Sequence, residues 1–194
     1  MKRQAVIERN TAETKIRLKL NIDGRGRSKI DTGIGFFDHM LTLFSKHALM
    51  DLEVRAKREL QVDEHHTVED VGIVLGQALK KALGDKRGIT RYGHAYVPMD
   101  ETLSRVVVDL SGRHYLELRA SLQRKKVKDF PLQLIEEFMR AVSVNAAMNL
   151  HIEVLYSRDN HHLAESVFKG LGKALDIACR IDPRAELPST KGTL

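Results

Sequence analysis

Two short segments carry the residue types best suited to chemistry. His65-His66-x-x-Glu69 and His161-His162-x-x-Glu165 repeat one His-His-x-x-Glu spacing. Residues four apart share a helical face, so His65 with Glu69, and His161 with Glu165, can each grip one metal ion. His66 and His162 point about 100° away at 3.6 residues per turn, which suits a second ion close by. Two crossed motifs therefore suggest two metals with shared walls. Imidazole plus carboxylate, with no thiolate, suits Mn, Fe, Ni or Zn and argues against iron–sulfur or Cu(I) chemistry. The His-Glu-x-x-His spacing of zinc proteases is absent. His39, beside Asp38 in GIGFFDHML, is a further ligand candidate because each ion needs more than two ligands. His94, His114 and His151 sit in strand-like segments without paired acids and read as ordinary surface or core residues.

The elements that must position these side chains come in duplicate. HHTVEDVGIVLGQAL and HHLAESVFKGLGKAL share 8 of 15 positions without gaps. Upstream, AETKIRLKLNIDGR (12–25) matches DETLSRVVVDLSGR (100–113), so that Glu13-Thr14, Arg17 and Gly24-Arg25 fall on Glu101-Thr102, Arg105 and Gly112-Arg113. The halves meet near 88–91, giving a first half-repeat at 1–90 and a second at 91–194 with a C-terminal tail expected to bind substrate, the two forming one compact domain. A gene duplication with a pseudo-twofold axis is the natural account.

In the first half, alternation marks strands at 15–22, 28–31 and 51–58, and helical spacing marks 34–47 and 65–83. Asp63 and Glu64 stand where the second helix would be capped. The second half repeats this, with strands near 92–97, 102–110, 114–121 and 149–156 and helices near 131–147 and 161–179. Taking the second half's four strands and two helices as the pattern for both halves gives an α+β layer, and burial is most economical with all four helices between two four-stranded sheets. Gly72, Gly76, Gly170 and Gly172 inside the helices read as packing contacts.

Composition narrows the partners. A net charge of +6 favours an anionic ligand, but Trp is absent and aromatics are 5%, so base-stacking surfaces are scarce. A small phosphorylated molecule fits better than nucleic acid. The basic run from Arg124 to Lys128 reads as a solvated turn. No apolar run approaches the ~20 residues of a membrane span, and MKRQAVIERN lacks the features of a signal or transit peptide. The single cysteine, Cys179, cannot form an internal disulfide, which fits a reducing cytoplasm.

GIGFFDHML, DEHHTVEDVG, PMDETLSR, DLSGR, NHHLAESVFKGLGKAL and the terminal PSTKG together resemble imidazoleglycerol-phosphate dehydratase, from Glu13 to Lys191. The resemblance implies a helical layer between two four-stranded sheets, with halves like the second domain of a small-subunit ribosomal protein. It implies a lyase of histidine biosynthesis with two manganese ions per site, assembled as a homo-oligomeric 24-mer whose active sites are shared between subunits. His39, His65, His66, Glu69, His161, His162 and Glu165 match family metal ligands. Glu13, Arg91, Arg113, Lys169, Ser189, Thr190 and Lys191 match substrate-contacting positions, several at the phosphate, His47 lies in a substrate-contacting segment, and the ligands His39, His65 and His161 are implied to contact substrate as well. One departure stands out. Where many members carry histidine in a Glu-His-Phe-Phe segment, this chain has Glu136-Glu137-Phe138-Met139, which makes Glu137 a candidate ligand.

The implied reaction removes water from a diol phosphate bearing an imidazole ring. Two metals can bind both ring nitrogens and favour imidazolate, which expels the adjacent hydroxyl to give a diazafulvene-like intermediate. A carboxylate then takes the next C–H proton, and Glu13 is the candidate base. A dimetal hydrolase is the rival reading, though such enzymes prefer carboxylate-rich bridging sets. A metal-buffering shell is a third, but it would not need Arg91, Arg113 or the PSTK tail.

Overall fold

The computed structural model describes residues 2–58, 64–121, 126–184 and 186–189. In chain order the elements are β1 (Gln4–Asn10), β2 (Thr14–Asn21), β3 (Ser28–Asp31), α1 (Gly35–Ala48), β4 (Asp51–Arg58) and α2 (His65–Leu83). Then follow β5 (Tyr92–Met99), β6 (Thr102–Asp109), β7 (Tyr115–Arg119), β8 (Lys126–Val127), β9 (Phe130–Pro131), α3 (Leu134–Ala146), β10 (Asn149–Tyr156) and α4 (Asn160–Ala178). One sheet has the order β1-β2-β4-β3 and the other β5-β6-β10-β7. In each, the first three neighbours are antiparallel and the last strand is parallel to its partner.

Alternation along each strand decides which face is dry. Ile16, Leu18 and Leu20 of β2 are buried while Lys15 and Arg17 face water, and β6 buries Val106 and Val108 the same way. Both apolar sheet faces join the helices in one continuous core. Its largest fully buried side chains include Phe37, Phe44, Phe138 and Phe168, each contributing about 2–3 kcal/mol by burial.

The duplication reaches the level of single hydrogen bonds. Ser45 Oγ donates to the Met50 carbonyl at 2.8 Å, and Ser143 Oγ donates to the Met148 carbonyl at 2.9 Å. Both first helices end on a non-glycine residue in the left-handed region, Leu49 (φ 55°) and Ala147 (φ 52°).

Helix pairing crosses the halves. α2 lies on β1 and β2 and α4 on β5 and β6, but α2 packs on α3, and α1 packs on α4. Glycines permit that approach: a Cβ at Gly172 would lie 2.7 Å from the Phe44 carbonyl oxygen, and one at Gly76 would lie 2.8 Å from that of Val142. Gly72 likewise faces Phe138 and Ala141, whereas Gly170 packs on Val106 of the sheet and not on a helix.

Three details differ from the sequence expectation. β1 lies in a segment whose charged residues obscure its alternation. α3 begins three residues later than expected, because Phe130 and Pro131 pair with Lys126 and Val127 as a small hairpin, and proline favours extended backbone before it. The basic run is thus partly strand, with Arg124 and Lys125 outside the described residues. Asp63 also lies outside them, and Glu64 occupies the N-cap of α2 without a side-chain cap bond.

The segment between the halves is strapped to the C-terminal segment. Gly88 N–H donates to the Glu186 carbonyl, Asp182 N–H to that of Gly88, and Thr90 N–H to that of Arg180, each at 2.8 Å. Ile89 bridges Ile181. Cys179 is buried here, and burial pushes its thiol up to about 12, which keeps it protonated and unreactive.

Candidate metal centre

The second motif opens α4 behind an acidic cap. Asp159 accepts from the backbone N–H groups of His161 (2.6 Å) and His162 (3.1 Å), satisfying two donors that a helix start would otherwise leave bare. These bonds fix the first turn from which both histidines project. One turn on, buried Glu165 receives two imidazoles on one oxygen: His161 Nε2 at 3.1 Å and His39 Nε2 at 2.9 Å. His39 arrives on α1, held by the glycine contact between α1 and α4. Phe36 lies edge-on to the His161 ring at 5.2 Å.

The other Glu165 oxygen accepts from Lys169 Nζ at 2.6 Å, and Lys169 also reaches the Met99 sulfur at 3.3 Å. Burial pushes the Glu165 carboxyl up, but hydrogen bonds from Lys169 and His39 outweigh it and bring its pKa to about 2. It is therefore an anion at any ordinary pH. His39, His161 and Glu165 each offer a ligand atom within 4.8 Å of the others. Two neutral imidazole nitrogens and one carboxylate oxygen converging on a point are a donor set that fits a divalent first-row cation. The other expected residue of α1, His47, packs beside α4, where burial and then the charges of Lys173 and Lys169 lower its pKa.

The first motif is more open. His65 Nε2 lies 3.9 Å from Glu69 Oε2, and both side chains are half-exposed. His66 Nδ1 lies 2.9 Å from Glu13 Oε2, in the connection between β1 and β2. Glu137 occupies on α3 the place that His39 occupies on α1, since both helix pairs share one register: Gly76 meets Val142 and Ala146 as Gly172 meets Phe44 and Ala48. Among the described residues no group of three candidate ligand atoms includes Glu137, and none combines the two motifs.

A second group of three, Asp100, Glu101 and His162, was not anticipated as a site. Its signal was present in the sequence, because the duplication sets Glu101 opposite Glu13. Asp159 was likewise missed; the cap sits outside the repeated segments.

The basic residues divide by place. Lys169 stands beside the first ligand group, paired with Glu165. Arg91, with φ 72°, sits where the second half begins and grips Asp109 with two nitrogens, at 2.7 and 3.2 Å. Its third contact, 2.7 Å to the Pro188 carbonyl, brings the tail alongside. Ser189 follows directly, and exposed Arg113 lies in the turn after β6, whose end Arg91 also contacts through the Leu110 N–H. Thr190 and Lys191 lie outside the described residues. His94, His114 and His151 are all exposed and belong to neither ligand group.

A duplicated α+β layer that gathers imidazoles and carboxylates at the starts of its paired helices has the donor groups that could hold metal ions. The imidazoleglycerol-phosphate dehydratase family profile matches residues 32–175. The imidazoleglycerol-phosphate dehydratase of Azorhizobium caulinodans is 58% identical over 99% of this chain and 98% of its own length. That of Acetivibrio thermocellus is 55% identical over the whole of both chains. The Staphylococcus aureus enzyme superposes with a TM-score of 0.83 at 43% identity, covering 92% of this chain and 99% of its own. The Pyrococcus furiosus enzyme in complex with (S)-C348 gives 0.84 at 34% identity, covering 97% of this chain and all of its own. The chain belongs to the imidazoleglycerol-phosphate dehydratase family.

Proposed function

We propose that this chain is a hydro-lyase of histidine biosynthesis that converts imidazoleglycerol phosphate to imidazole-acetol phosphate and water. The convergence of His39 and His161 on Glu165 carries the reading, together with family membership over nearly the whole chain. We assign one divalent cation to His39, His161 and Glu165 and a second to His65, Glu69 and Glu137, with His66 and His162 completing the two shells. Manganese is the proposed metal. When bound, the cations supply positive charge that stabilises the anionic form of the substrate's imidazole ring. The hydroxyl beside the ring leaves, and Glu13 accepts the proton from the neighbouring carbon; hydroxide and proton sum to one water. The enol so formed becomes the ketone.

Arg91, Arg113, Ser189, Thr190 and Lys191 are proposed to hold the phosphate. Of these, Arg91 donates its N–H to the Ala178 carbonyl at the C-terminal end of α4 and brings Pro188 and Ser189 alongside, and the 19 residues of α4 span roughly 27 Å. A six-carbon phosphate ester is far shorter, so one chain cannot offer both ends of the site to one substrate. The active site is therefore proposed to be shared between copies of the chain in a homo-oligomer, consistent with a 24-mer. Lys169 is the exception, since it stands beside the ligands and reaches phosphate on leaving Glu165. The chain has no helix long and apolar enough to cross a membrane among its described residues, and we place the activity in the cytoplasm. Purified protein supplied with imidazoleglycerol phosphate and Mn²⁺ is expected to yield the ketone, and chelation to stop it. No ketone with metal-replete protein would overturn the reading.

A further inference from the structure

Glu101 and Glu13 are twins by sequence and by contact. Each sits at the connection between the first and second strands of its half, and each approaches Nδ1 of the second histidine of the matching motif. His162 Nδ1 lies 3.2 and 3.1 Å from the two Glu101 oxygens, and His66 Nδ1 lies 2.9 Å from Glu13. The Glu101 carboxylate is itself oriented by Thr102 Oγ1, which donates to it at 3.2 Å.

A carboxylate only accepts, so the nitrogen facing it must carry the hydrogen. In a neutral imidazole that leaves Nε2 as the sole lone pair able to bind a metal. Asp159 fixes the backbone beneath the same residue, so the His162 ring is constrained in rotation and in tautomer at once.

We infer that Glu101 is a positioning residue of this site: it holds His162 as the Nδ1–H tautomer and so presents Nε2 to the metal, without ligating metal or touching substrate. The inference rests on the assignment of His162 as a ligand under the proposed function. It divides the labour between the twins. Glu13 keeps the same hold on His66 and is in addition the proton acceptor, whereas Glu101 only orients. The alternative use of these residues, a separate ion held by Asp100, Glu101 and His162 together, would place Glu101 itself on the metal.

Titration of the metal-free full-length chain with Mn²⁺ separates these cases. Glu101→Ala is expected to bind the same number of ions as wild type, with one site weakened roughly 10- to 100-fold, the usual cost of losing an outer partner of a ligating histidine. Glu101→Gln retains a carbonyl acceptor and should recover most of that loss. Unchanged affinity in a folded Glu101→Ala protein would overturn the inference, and so would loss of a whole equivalent of Mn²⁺. A second measurement needs no Glu101 variant. Long-range ¹H–¹⁵N spectra of metal-free, histidine-labelled protein, with the peak assigned by its loss in His162→Gln, should show His162 protonated on Nδ1. Protonation on Nε2 would overturn it. Neither readout uses turnover, so a chain that makes no ketone would sink the proposed function and leave this test standing.

Discussion

At the start of α4, Asp159 accepts from two backbone N–H groups, whereas α2 begins at Glu64 with no side-chain cap. The difference continues down each helix. The Glu165 side chain is 10% exposed and gathers His39, His161 and Lys169, while that of Glu69 is 46% exposed and lies 3.9 Å from His65. The shared register of the helix pairs supplies the reason. Where α1 sets an imidazole against Glu165, α3 carries a carboxylate, Glu137, at the equivalent position of its helix. Imidazole and carboxylate attract through a hydrogen bond; two carboxylates repel until a cation lies between them. One motif closes within the chain by its own side chains, and under the proposed function its twin would close on a metal.

The strongest way to break this comparison is to remove the central acids. Glu165→Gln and Glu69→Gln should each cut kcat/KM at least 100-fold with saturating substrate analogues excluded, since a weak neutral ligand replaces a charged one. Only Glu165→Gln should also destabilise the metal-free fold, by about 2 kcal/mol in urea denaturation, because it weakens the hydrogen bonds that buried Glu165 makes with part-buried Lys169 and two histidines. Equal stability for both variants would mean that the two motifs are held alike.

Glu13→Gln sharpens the contrast at the level of chemistry. It should bind two Mn²⁺ ions per chain yet lower kcat by roughly 10²- to 10⁴-fold, the range for a lost general base. A wild-type kcat would remove Glu13 from that role.

Exchange at Glu137 probes the carboxylate pair directly. Glu137→Ala should weaken one Mn²⁺ site and spare the other in a calorimetric titration. Glu137→His restores the imidazole–carboxylate arrangement of the twin and should keep activity while shifting preference toward zinc. Two full-affinity sites in Glu137→Ala would make this glutamate a surface charge.

The smallest effect belongs to the cap. Asp159→Ala should cost about 1 kcal/mol, while Glu64→Ala should cost almost nothing. The Asp159 carboxyl is held below its ordinary value chiefly by the His162 N–H; burial opposes this, and the His161 N–H adds a smaller lowering effect. A depressed carboxyl stabilises above its unfolded pKa of about 3.9 and loses that contribution as pH falls through the lower folded value. The gap between wild type and Asp159→Ala in thermal melts should therefore be full at neutral pH and shrink in acid.

Much of this was legible in the sequence because it was written twice. The alternation of Ile16, Leu18 and Leu20 was enough to fix β2, and the apolar stripe of His65–Leu83 gave α2 its bounds. The helix glycines announced close packing but not that α1 would choose α4 and α2 choose α3, since spacing along one helix does not name its partner. At the site, i,i+4 spacing foretold the contact between His161 and Glu165. It could not foretell that His39 would share the same oxygen, which depends on the register between α1 and α4. Arg91 was expected at a phosphate; its ion pair with Asp109 at the end of β6 and its bond to Pro188 in the tail depend on tertiary placement, for which the sequence carries no periodic signal.

The pairing of helices across the halves bears on ancestry. Suppose a gene encoded only one half. Its first helix would find no second helix of its own to rest on, but a second copy would offer one, and the exchange would be mutual. Such a chain would form a closed twofold dimer with both glycine-lined grooves filled. Fusing the genes makes that encounter intramolecular, so the concentration of chains no longer governs assembly of the core. Once fused, the halves are released from identity. One copy of a ligand position can keep histidine while its twin becomes glutamate, a divergence that a symmetric dimer of a single gene product could not encode.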